Sequence, residues 1–203
     1  MSMSMRDRIK AGKLYTDMCE GLPEERLHGK ELMYEFNHTR PSEVEKRERL
    51  IREMFGSVGE HTWIEPPIYF SYGSNIHIGK NFYANFNFTI VDDYTVTIGD
   101  NVLIAPNVTI SVTGHPVHHE LRKFGEMFSF PVTIGNNVWI GSNVVINPGI
   151  TIGDNSVIGA GSIVTKDIPA DVVAVGVPCR VLRTINERDR EFYYQNYKVE
   201  PSI

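Results

Sequence analysis

The sequence predicts a mainly β protein, a parallel β-helix of six-residue repeats preceded by a helical segment. Ile134, Ile140, Ile146, Ile152, Ile158 and Val164 fall six residues apart without a miss. The residues that follow them, Gly135, Gly141, Asn147, Gly153, Gly159 and Thr165, repeat a turn-permissive type with the same period. A period of six matches neither the 3.6 of a helix nor the alternation of a long strand. It fits short strands joined by tight turns in which Gly, Asn or Asp supplies left-handed backbone angles. Stacked coil over coil, such strands set the aliphatic anchors into an internal ladder. Upstream, Ile78, Ala84 and Ile90 share the beat, and Ile98, Ile104 and Ile110 resume it after a two-residue slip. The period alone gives neither the number of faces per coil nor the hand.

A third observation is an interruption. In "SVTGHPVHHELRKFGEMFSFP", residues 111–131, the beat stops for about twenty residues and His115, His118 and His119 appear. This stretch reads as a loop extruded from the β-helix. Residues 1–57 read as helical: a first helix around 5–18, a break at Gly21-Leu22-Pro23, a second helix carrying Leu27, Met33 and Phe36, and a third opened by a Ser42–Glu45 capping box. The β-helix then spans 58–183. A charged and aromatic tail, 184–203, carries Phe192, Tyr193, Tyr194 and Tyr197, which call for a neighbouring surface to pack on.

Composition narrows the classes. A chain of 203 residues with 41% hydrophobic and 22% charged residues supports one buried core and no wholesale disorder. A net charge of −5 argues against nucleic acid or an anionic membrane as partner. No stretch has the length and apolarity of a membrane span, and the charged first residues do not form a signal peptide. Cys19 and Cys179 lie far apart, which suits a reducing cytoplasm and offers no cysteine-based metal site.

The hexads "IGNNVW-IGSNVV-INPGIT-IGDNSV-IGAGSI-VTKDIP" with "VGVPCRV" resemble the hexapeptide-repeat acyltransferases. "IKAGKLYTDMCEGL", "FNHTRPSE", "PPIYFSYGSNIHIGKNFYANFNFTIVDD", "SVTGHPVHHELR" and the "INERDREFYY" tail are similar to the sugar O-acetyltransferases, and in overall likeness most to those acting on galactosides. The resemblance runs from residue 5 to the end of the chain. It implies a left-handed parallel β-helix, a homotrimer with sites between subunits, and acetyl-CoA as co-substrate with no metal. The implied reaction moves acetyl directly to a hydroxyl, the 6-hydroxyl, of a galactoside or thiogalactoside.

Such a transfer needs a base for a poorly nucleophilic hydroxyl and fixed donors for the oxyanion that develops. Imidazole titrates near neutrality, and His115 in "TGHP" matches the family's base. His118 and His119 have no such match. The resemblance assigns Asp17, Ser71, Asn85 and Asp93 to the acceptor, Asn85 also to the charged intermediate, with Tyr83 and Met127 lining the same pocket. Carboxylates and amides suit vicinal hydroxyls, although Asn and Asp also serve turns. The chain has no glycine-rich phosphate loop. By resemblance Ser142, Ala160 and Thr165 line the pantetheine arm, Trp139 walls the thioester, and Lys166, Arg180 and Arg183 meet the phosphates. Three alternatives stay open: a maltose, glucose or other sugar acceptor with the same chemistry; a zinc hydratase, which the histidine intervals fit poorly; and a non-catalytic binding module.

Overall fold

Residues 3–200 are described by the structure, a computed structural model. From Ser57 onward the chain winds as a three-sided parallel β-solenoid. The first face stacks Ser57–Val58, Ile76–Ile78, Val96–Ile98, Val132–Ile134 and Thr151–Ile152. The second stacks Trp63–Ile64, Tyr83–Ala84, Leu103–Ile104, Trp139–Ile140, Val157–Ile158 and Val172–Val175, and is closed by Arg180–Thr184 running antiparallel. The third stacks Ile68–Phe70, Phe88–Val91, Thr109–Ser111, Val145–Ile146 and Ile163–Val164.

The six-residue anchors are the inward residues, in register from coil to coil. On the second face Ile64, Ala84, Ile104, Ile140, Ile158 and Ala174 align and are all buried. Each strand buries one face only, and the inward side chains, two on strands such as Val96–Ile98 and Val132–Ile134, fill the prism.

The turns divide their work differently from the sequence expectation. Gly135, Gly141, Gly153 and Gly159, directly after the anchors, do not take left-handed angles. That angle falls two residues later, on Asn137, Asn143, Gly149, Asn155 and Gly161, with φ between 57° and 78°. Glycine follows the anchor because the next coil lies too close: a Cβ on Gly135 would sit 2.2 Å from Asp154 Oδ1, and one on Gly153 2.4 Å from the Ala170 nitrogen. Asparagine tolerates the left-handed region and its amide links coils. Asn81, Asn101, Asn137 and Asn155 each donate through Nδ2 to the next residue of the stack, at 2.8–2.9 Å, ending on Asp171.

Helices α1 (Met5–Lys10), α2 (Leu22–Asn37) and α3 (Val44–Met54) form the N-terminal segment. The first is shorter than expected, because Gly12 turns the chain at φ 64° and Tyr15 pairs with the extruded loop. The Ser42–Glu45 capping box does not form. Glu43 is the N-cap residue, and its Oε2 instead accepts from the Arg40 N–H at 2.6 Å, tightening the Pro41–Ser42 turn. Leu50, Ile51 and Met54 of α3 enter the solenoid core together with Phe36 of α2, so the helices plug its first coil. At the other end a short helix, Glu187–Glu191, and a hairpin of Phe192–Tyr194 with Tyr197–Lys198 follow the closing strand. Within this single chain Tyr193, Tyr194 and Tyr197 stay exposed. No helix among the described residues is long and apolar enough to cross a membrane.

Candidate active site

The beat breaks at one edge of the prism, between the third face and the first. Phe70 to Ile78 and Ile90 to Ile98 are eight residues apart instead of six, and Ile110 to Ile134 is twenty-four. These insertions carry Ser71, then Asp92 and Asp93, then the loop with His115, stacked in successive coils. The extruded loop leaves as a hairpin, Thr113–Gly114 pairing with Phe128–Ser129, and holds a single 3-10 turn, His119–Arg122.

His115 follows directly on the outgoing strand of that hairpin. Its Nδ1 lies 2.9 Å from the Glu126 carbonyl oxygen. A carbonyl oxygen can only accept, so Nδ1 carries the proton and Nε2 keeps its lone pair. The exposed ring is thereby oriented with Nε2 able to accept a proton. His118 and His119 stack on each other instead, with ring centroids 4.9 Å apart. Among the described residues no group of three or more His, Cys, Asp or Glu is arranged to hold a metal ion.

Asp93 lies beside this histidine. Burial raises its carboxyl above the usual range, against the pull of the Thr113 hydroxyl and of the Arg26 charge. Arg26, on α2, also pairs with Asp17 on the N-terminal arm. One guanidinium therefore acts on both Asp17 and Asp93. The arm is bound to the loop by two backbone hydrogen bonds between Tyr15 and Met127, at 3.0 and 2.9 Å.

The neighbouring Asp92 points into the structure and is fully buried. Its carboxylate accepts the backbone N–H groups of Ser71, Tyr72 and Gly73 at 2.7–2.9 Å. Its carbonyl accepts from Asn75 Nδ2 at 2.6 Å. Burial nevertheless pushes its pKa up to about 7, the three N–H groups only partly offsetting it. Asp92 thus fixes the turn that displays Ser71. Sequence reading passed over Asp92, Tyr15, Arg26, Thr113 and Ser129; the two-residue slip at Asp92-Asp93 was the signal that could have exposed the first.

Asn85 does not join this group within one chain. It lies on the next edge, between the second and third faces, where its Oδ1 accepts from the Phe86 N–H at 2.9 Å and leaves both Nδ2 protons as donors. Ser142 and Ala160 occupy the same edge farther along, and the Gly161 N–H donates to the Ser142 carbonyl at 2.8 Å. Tyr83, Leu103 and Trp139 form an aligned outer row on the adjoining second face. Met127, with the arm, is therefore separated from Tyr83. Thr165 and Lys166 are exposed on the edge that carries Asp93, several coils on. Arg180 and Arg183 sit on the closing strand. Arg180 Nη1 donates to the Cys179 carbonyl at 2.6 Å, and Arg183 forks onto Asp189 at 2.6 and 2.7 Å.

The comparisons with known proteins agree with this layout. The maltose acetyltransferase hexapeptide capping motif matches residues 8–59, and the bacterial transferase hexapeptide (six repeats) matches 131–166. Over 203 residues, all of both chains, the protein is 80% identical to a galactoside O-acetyltransferase of Escherichia coli K12. A solved galactoside acetyltransferase in complex with coenzyme A superposes with a TM-score of 0.97 at 80% identity, covering 98% of this chain and all of that one. A maltose O-acetyltransferase from Clostridium difficile 630 superposes at 0.88 with 50% identity, covering 91% of this chain and 98% of that one. The 80% identity over the whole chain, the superposition and the six matched hexads identify the chain as a member of the galactoside O-acetyltransferase family of hexapeptide-repeat transferases.

Proposed function

We propose that this enzyme transfers acetyl from acetyl-CoA directly to the 6-hydroxyl of a galactoside or thiogalactoside, with His115 as the general base. The observation that carries the reading is the hydrogen bond from His115 Nδ1 to the Glu126 carbonyl, beside the acceptor-side carboxylate Asp93. Asp17, Ser71 and Asp93 hold the sugar through its hydroxyls. Nε2 takes the proton of the attacking hydroxyl as its oxygen bonds to the thioester carbon. The oxyanion is met by the Asn85 amide and the Ser142 N–H, for which no acceptor is found among the described residues. Collapse breaks the carbon–sulfur bond, and the imidazolium returns its proton to the departing thiolate.

The donor runs between the Asn85 edge, with Ser142 and Ala160, and the loop edge, with Thr165 and Lys166. Ser142, Ala160 and Thr165 line the pantetheine arm, Trp139 walls the thioester, and Lys166, Arg180 and Arg183 neutralise the phosphates. Asn85 and Asp93 stand at opposite ends of the four-residue strand Phe88–Val91, about 13 Å long at the usual strand rise. One chain's loop edge therefore needs another chain's Asn85 edge, which a homotrimer with three intersubunit sites supplies. The outer row Tyr83, Leu103, Trp139 and the exposed tail tyrosines are surfaces such an assembly would cover. The free thiols of Cys19 and Cys179 suit a cytoplasmic enzyme.

A second reading keeps the mechanism and exchanges the acceptor for maltose or glucose, in line with the capping motif over 8–59. Coenzyme A release from acetyl-CoA, with a thiogalactoside, a β-galactoside, maltose and glucose offered singly, separates them. Preference for the galactosides supports the first reading. Preference for maltose or glucose replaces the acceptor, and no release with any sugar overturns the reaction.

A further inference from the structure

Three hydroxyls meet at the root of the extruded loop. Tyr15 is buried on the N-terminal arm, Thr113 lies on the outgoing strand and Ser129 on the returning one. Tyr15 Oη is 2.7 Å from Ser129 Oγ, and Ser129 Oγ is 2.9 Å from Thr113 Oγ1. The Thr113 hydroxyl faces Asp93. Each hydroxyl has one proton to donate. An ionised Asp93 can only accept, and the Tyr15 and Thr113 hydroxyls both face it, with Ser129 bridging the two. Burial and the Asp93 charge push the Tyr15 phenol up to about 12, so it keeps its proton as a donor.

We propose that Tyr15, Ser129 and Thr113 act as a hydroxyl relay, a set of positioning residues that aims Asp93 at the acceptor sugar and ties the N-terminal arm to the loop bearing His115. None of the three touches the reacting atoms. Their effect passes through Asp93 and through the hairpin strands between which His115 and Glu126 are held. Hydrogen bonds in such a chain polarise one another, so loss of one member weakens the rest. The relay predicts a selective defect: acceptor binding suffers while the coenzyme residues Ser142 and Ala160, on the far side of the third face, are unaffected.

This inference rests on the proposed acetyl transfer to a sugar, and the experiment keeps the two apart. Wild-type enzyme is assayed with a thiogalactoside beside Tyr15→Phe, Ser129→Ala and Ser129→Thr. Acceptor KM should rise about tenfold in Tyr15→Phe and Ser129→Ala, acetyl-CoA KM should stay within twofold, and Ser129→Thr, which keeps the hydroxyl, should recover most of the loss. If Ser129→Ala fails to fold, Tyr15→Phe carries the same test. Unchanged acceptor KM in the folded variants, or an equal rise in both KM values, overturns the relay. An inactive wild type overturns the acetyl transfer itself.

Discussion

His115 Nδ1 donates to the Glu126 carbonyl across the hairpin root, at 2.9 Å, and the imidazole is thereby held by backbone alone. No carboxylate side chain is needed to choose its tautomer, unlike a Ser-His-Asp arrangement. His115→Ala should lower kcat by about 10² to 10⁴, the range of a general base. Its affinity for coenzyme A, measured by calorimetry, should stay near the wild-type value. Near-normal turnover would assign the proton to another group.

The proposed intersubunit site permits complementation. Trimers assembled from equal parts of His115→Ala and Asn85→Ala chains should regain about a quarter of wild-type activity, since each site draws the two residues from different chains. Mixtures no more active than the separate variants would place both residues in one chain's site.

Asp92 links stability to pH. Its folded pKa of about 7 lies above its ordinary value of 3.8. For a raised acid the native state holds its proton longer, so the favourable contribution is complete at low pH and is lost as pH rises to about 7. The urea midpoint should therefore fall between pH 5 and pH 8 by more in the wild type than in Asp92→Asn. Equal pH dependence in the two would mean that Asp92 titrates as an ordinary surface acid.

Glycine and asparagine fail differently when replaced. Asn137→Ala loses two ladder hydrogen bonds and keeps a φ of 57° that alanine resists, at a cost of about 2 kcal/mol. Gly135→Ala drives a Cβ toward Asp154 Oδ1 and its backbone nitrogen in the next coil, so it should be the more destabilising of the two. Denaturant titration ranks them, and the reverse order would refute the division of labour within the turn.

The sequence by itself determined the solenoid. A strict six-residue period demands that each anchor face one interior, and the anchors from Ile134 to Val164 do so. It also singled out His115, on the loop that interrupts that period, through the likeness of its motif to a family's base. What only the tertiary structure decided was local competition and assembly of the edge. Helix α1 ends early because Tyr15 finds a better partner in Met127, more than a hundred residues away. The capping box yields to Glu43 because helix start is set by the turn before it. Two adjacent aspartates look alike in sequence, yet one is turned inward onto three N–H groups and the other is left beside the base, since consecutive side chains of an extended chain leave on opposite sides. The same stacking that brings Ser71, Asp93 and His115 to one edge carries Asn85 to another. A period records which way residues face, and only the wound chain decides which of them meet.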